Sequence, residues 1–96
     1  MSAMLATRRY VVSGRVQGVG FRWFVEHEAR VLGVSGWVRN RQDGSVEVLA
    51  SGTNEQLRSL YDKLRQGPRA ARVDDVSVDE APPQDDLKTF RIEGTW

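Results

Sequence analysis

A chain of 96 residues is expected to form one domain and to bury roughly 60–70% of the surface its unfolded form exposes, which leaves room for one modest core and a shallow site. Lys and Arg total 14 against 13 Asp and Glu, and a net charge of +1 makes no case for bulk nucleic-acid binding. The absence of cysteine excludes disulfides, thiol catalysis and cysteine-ligated metals, and suits a reducing, cytoplasmic setting.

Residues 1–7 lack the basic start and long apolar segment of a signal peptide and read as a disordered lead-in to a domain over residues 8–96. No apolar run approaches the ~20 residues of a membrane span. Tyr10, Val11 and Val12 form a β-branched and aromatic run bounded by Ser13-Gly14, the pattern of a strand. From Phe21 the period changes: Phe21, Phe24, Val25, Ala29 and Leu32 recur at helical spacing, with Gly33 as the stop. Trp37 and Val38 lie in a second strand-like run over residues 35–41. Asp43-Gly44 then signals a hairpin. Val46, Val48 and Ala50 alternate with Glu47 and Leu49 in a third strand ending near Ser51-Gly52.

Thr53, with Gln56 at the capping-box position, opens a second helix whose stripe is Leu57, Leu60, Tyr61 and Leu64; Gly67-Pro68 ends it. Val73, Val76 and Val78 mark a fourth strand. Ala81-Pro82-Pro83 and the acidic pair Asp85-Asp86 form a loop, and Phe90 and Ile92 suggest a short terminal strand.

Between the first strand and the first helix lies Gly14-Arg15-Val16-Gln17-Gly18-Val19-Gly20-Phe21-Arg22. Its glycines let the backbone curl at positive φ, and a curl leading into a helix N-terminus gathers N–H groups at one spot, where anions bind. Arg22 adds a permanent charge at the rim. The loop is not a Walker motif, since no Gly-Lys-Ser/Thr follows, and it lacks the third glycine of a dinucleotide fingerprint.

The element order, strand-helix-strand-strand-helix-strand plus a short extra strand, predicts a ferredoxin-like α+β sandwich. One antiparallel sheet would carry both helices on one face. Strands one and two then run the same way, so the start of the first helix and the end of strand two meet at one end of the sheet. Residues 36, 38 and 40 share a face by the period of two, and Asn40 should turn with Val38 toward the loop and Arg22.

The glycine loop and a second segment, Gly36-Trp37-Val38-Arg39-Asn40 with Asp43-Gly44-Ser45-Val46 and Gly52, together resemble the two signature patterns of the acylphosphatases. The resemblance spans about residues 8–94 and departs at no position that would carry chemistry. It implies hydrolysis of the carboxyl–phosphate bond of acyl phosphates to a carboxylate and inorganic phosphate, with no metal, no cofactor and no phosphoenzyme. By position Arg22 matches the phosphate-binding arginine and Asn40 the asparagine that orients the attacking water. Gln17, Gly18, Val19, Gly20 and Phe21 match the loop whose backbone N–H groups hold the phosphate. A cytoplasmic monomer acting on a small molecule is the corresponding expectation, with neither nucleic acid nor membrane as partner.

Other residues have plainer readings. His27, the only histidine, falls on the outer side of the first helix. Arg39 and Arg41 alternate onto the open face or rim of the sheet. Asp74, Asp75 and Asp79 read as a solvated strand side rather than metal ligands. A rival class is a non-catalytic anion-sensing or interaction domain on the same sandwich. A second rival, single-stranded RNA binding on the open sheet face, would have Tyr10 and Trp37 as its only stacking residues.

Overall fold

The computed structural model describes residues 5–84 and 87–94. Five strands and two helices follow in the order β1 (Ala6–Arg15), α1 (Phe21–Leu32), β2 (Ser35–Asn40), β3 (Val46–Gly52), α2 (Asn54–Gln66), β4 (Arg72–Glu80) and β5 (Phe90–Ile92). The sheet order is β4-β1-β3-β2-β5. This is the ferredoxin-like α+β fold expected, with two corrections.

The first concerns the lead-in. β1 begins at Ala6, so Ala6 and Thr7 belong to the sheet. Ala6 pairs with Gly52, the Thr7 hydroxyl meets the Ser51 hydroxyl at 2.6 Å, and the Thr7 carbonyl accepts from the Ala81 N–H. Residues 1–4, like the acidic pair Asp85-Asp86, lie outside the described residues.

The second concerns the sheet, which is mixed rather than antiparallel. β1 pairs antiparallel with β3 and β4, and β2 with β3, but β5 runs parallel to β2 with Gly36 opposite Phe90. The reason is directional. β4 opposes β1 and therefore opposes β2; the 81–89 connection reverses the chain once more, so β5 arrives at the far edge aligned with β2.

Both helices pack on one face. Phe21, Val25 and Ala29 of α1 and Leu57, Leu60 and Leu64 of α2 are buried against Tyr10, Val12, Val38, Val46, Val48, Ala50 and Val76. The spacing of three between Val73 and Val76 does not suit a period of two. A register shift where Ser13 opposes Asp75 and Gly14 opposes Val73 lets both pack toward the core. Gln56 completes the capping box with Thr53 and also donates through Nε2 to the Leu32 carbonyl at 2.9 Å, tying the start of α2 to the end of α1.

The open face is not bare. Glu47, only 4% exposed, lies between Arg9 and Arg39, and the Arg39 guanidinium is 2.7 Å from its carboxylate and 4.7 Å from the Trp37 ring centroid. Tyr10 points the other way, into the core, where its hydroxyl donates to the Leu57 carbonyl. Of the two stacking residues an RNA-binding face would use, only Trp37 lies on the open side.

Candidate active site

β1 and β2 run in the same direction, so the loop leaving β1 and the residue ending β2 meet at one end of the sheet. A cleft of about 190 Å³ opens there. Its floor is Val16 and Phe21, each 1% exposed; its rim is Gly18, Gly20, Arg22, Trp23 and Asn40. Five of these lie in sequence between residues 16 and 22, and Asn40 is brought in by topology.

Gly18 and Gly20 hold φ of 73° and 78°, the left-handed region. A Cβ built on either meets nothing within 4 Å, so glycine is required by backbone conformation and not by crowding. Gly20 is also the N-cap of α1, which has no side-chain cap and no acidic residue in its first turn. The first intrahelical bond runs from the Phe24 N–H to the Gly20 carbonyl, leaving the N–H groups of Phe21, Arg22 and Trp23 without an intrahelical acceptor. α2 differs: Thr53 and Gln56 cap it reciprocally and Glu55 sits in its first turn. The start of α1 thus carries neither a side-chain cap nor a negative charge, and its dipole favours an anion there.

The members of the predicted loop divide by role. Gln17 does not line the cleft with its side chain. Its Nε2 donates to the carbonyls of Arg41, at 2.7 Å, and Ser45, at 2.9 Å, and so pins the loop to the hairpin that follows Asn40. Val19 packs part-buried against the core and anchors the loop from beneath. The hairpin is itself braced. Asp43 accepts from the Ser45 N–H and hydroxyl, and these bonds hold its carboxyl below the usual range. The Asp-Gly-Ser run carried that signal in the sequence, whereas nothing local marked the reach of Gln17.

Arg22 reaches across the cleft, where Nη1 donates to the Glu93 carbonyl at 3.4 Å. Glu93 is there because β5 docks beside β2, and its own N–H donates to the Val38 carbonyl. The short terminal strand, which sequence reasoning left without a purpose, therefore supplies a support for the site. Asn40 presents a different feature: its Oδ1 is buried and has no hydrogen-bond donor among the described residues. Such an oxygen costs about 1–3 kcal/mol unless something donates to it.

Among the described residues no histidine or carboxylate lines the cleft. His27 is exposed on α1, and among the described residues no group of three or more His, Asp or Glu side chains is placed to hold a metal ion. Nor is any described helix long and apolar enough to cross a membrane. Arg39 is engaged with Glu47, and Arg41 lies 3.8 Å from Asp43.

Known proteins share this sequence and fold. An acylphosphatase of Koribacter versatilis is 68% identical over 90 residues, covering 94% of this chain and 82% of its own. The crystal structure of acylphosphatase from Bacillus subtilis superposes with a TM-score of 0.88 at 43% identity, covering 94% of this chain and 99% of that one. Full-length HypF, in a phosphate- and nucleotide-bound form, contains a similar unit: TM-score 0.90 at 25% identity, covering 99% of this chain but 12% of HypF. The acylphosphatase family profile itself matches residues 8–92, and the chain belongs to the acylphosphatase family.

Proposed function

We propose that this chain hydrolyses acyl phosphates by direct transfer of the phosphoryl group to water, with Arg22 and the loop of residues 17–21 holding the phosphate and Asn40 holding the water. Family membership supports the overall reaction. The observation that carries the mechanism is the buried Asn40 Oδ1, which lacks a donor among the described residues, in a residue that lines the same cleft as Arg22.

An acyl phosphate brings its own good leaving group, so the protein's work is positioning and charge stabilisation. The guanidinium can take two phosphate oxygens through its fork, while the N–H groups at the start of α1 take others. A water donating one hydrogen to Asn40 Oδ1 is fixed with a lone pair toward phosphorus. Its oxygen bonds to phosphorus, the bond to the acyl oxygen breaks, and that electron pair leaves with the carboxylate. The water's proton passes to a phosphate oxygen, since no lining side chain among the described residues is a base. Among the described residues the lining offers no Ser, Thr, His or carboxylate to be phosphorylated, which supports a single step without a phosphoenzyme.

The test is hydrolysis of acetyl phosphate with a chelator present. Arg22→Ala should lose both phosphate affinity and turnover. Asn40→Ala should lose about 10²–10³ in kcat while still binding phosphate. Near-normal turnover in Asn40→Ala would remove the water-positioning role, and loss of wild-type activity to the chelator would remove the metal-free mechanism. We also read the protein as a cytoplasmic monomer, in keeping with its lack of cysteine; light scattering at micromolar concentration checks the second half of that reading.

A further inference from the structure

The cleft is smaller than a pocket that would enclose a bulky organic substrate. At about 190 Å³ it falls below the roughly 300–1,000 Å³ of pockets that enclose an organic ligand. It suits a phosphate and the waters around it, each of which occupies about 30 Å³. With the phosphate seated at Arg22, an acyl group as large as an aryl ring extends past the cleft across its rim.

One rim residue is apolar and open. Val16 and Phe21 are buried floor, Gly18 and Gly20 have no side chains, and Arg22 and Asn40 are polar. Trp23 is 71% exposed. It follows Phe21 by two residues, about 200° around α1 from the core-facing stripe, so the fold itself cannot bury it. Single exposed apolar residues are ordinary on protein surfaces. The placement distinguishes this one, next to Arg22 in sequence and on the wall of the cleft.

We propose that Trp23 is the contact for the acyl group and selects aromatic acyl phosphates over acetyl phosphate. The indole offers a rigid flat face just outside the phosphate seat, and an aryl ring leaving that seat stacks on it or meets it edge to face. An acetyl group is too short and too small to cover it. The residue acts on binding and not on bond breaking, so its effect belongs in KM. This inference rests on the acyl phosphate reading above and names the substrate class of that same site.

The experiment compares benzoyl phosphate with acetyl phosphate in the wild type, Trp23→Ala and Trp23→Phe. The ratio of kcat/KM values, benzoyl over acetyl, should fall about tenfold in Trp23→Ala, through KM, and be largely kept by Trp23→Phe. An unchanged ratio in Trp23→Ala overturns the proposal. Wild-type protein that turns over neither compound overturns the acyl phosphate reading instead. Calorimetry is independent of turnover: phenylphosphonate should bind the wild type about tenfold more tightly than inorganic phosphate, and that advantage should vanish in Trp23→Ala. Equal wild-type affinity for the two ligands refutes the role of Trp23 whatever the kinetics show.

Discussion

Replacing Gln17 with alanine removes two hydrogen bonds at once, those from Nε2 to the Arg41 and Ser45 carbonyls. Each carbonyl keeps another donor, because Gly44 N–H reaches Arg41 O and Arg41 N–H reaches Ser45 O. No acceptor is orphaned, and the loss is the net worth of two bonds, about 1–3 kcal/mol. A central value of about 2 kcal/mol lowers the melting temperature of a domain this size by ~8–16 °C. The functional effect has the same origin. Gln17 fastens the glycine loop to the segment directly after Asn40, so its loss loosens the spacing between the two halves of the cleft. Urea denaturation and acetyl phosphate kinetics, run side by side, should show a lower midpoint and a lower kcat/KM. Gln17→Glu should be worse than Gln17→Ala at neutral pH, since it aims a carboxylate at two carbonyl oxygens. An unchanged midpoint combined with a loss of phosphate affinity like that of Arg22→Ala would refute the reasoning, because the amide would then be touching phosphate and not the hairpin.

The remaining predictions concern the sheet. Burial by itself would raise the pKa of Glu47, but hydrogen bonds from Arg9 and Arg39 more than reverse this and hold its carboxyl below the ordinary value. A depressed folded pKa contributes stability that is present above the unfolded value of about 4.3 and is lost as pH falls through the folded one. Glu47→Gln should therefore cost about 1–3 kcal/mol at pH 7, toward the lower end because both arginines are partly exposed. In chemical denaturation that deficit should shrink toward zero below pH 4; a deficit constant from pH 7 to pH 3 would show that the ion pairs do not supply it. Gly36 holds φ of 146°, and a Cβ there would lie 1.8 Å from the Leu49 carbonyl oxygen. Since that neighbour is backbone in the central strand, Gly36→Ala should cost upward of about 4 kcal/mol, whereas Gly94→Ala, with open space around it, should stay within ~0.5 kcal/mol. A folded Gly36→Ala protein with a wild-type melting curve would contradict the geometry.

What was readable in the sequence was carried by short-range chemistry. The Phe21–Leu32 helix and its Gly33 stop, the Thr53–Gln56 box and the Asp43-Gly44 hairpin each depend on residues within a few positions of one another. The meeting of Arg22 with Asn40 was also legible, because strand direction follows from element order and the period of two fixes which way Asn40 faces. Four features were not. β5 pairs parallel with β2, a contact of three residues whose direction depends on every reversal before it. Glu47 is buried because arginines from β1 and β2 close over it, and its own strand shows only an alternating charge. Gln17 crosses 24 and 28 residues of chain to reach its acceptors. Asn40 Oδ1 lacks a donor among the described residues because of what surrounds it in space. A backbone pattern reports its neighbours along the chain, and these four depend on neighbours across it. The sequence by itself therefore determined the elements and which two residues would face each other. Only the packed sheet decided what braces them, which oxygen is left needing a hydrogen, and that an exposed tryptophan stands on the rim of their cleft.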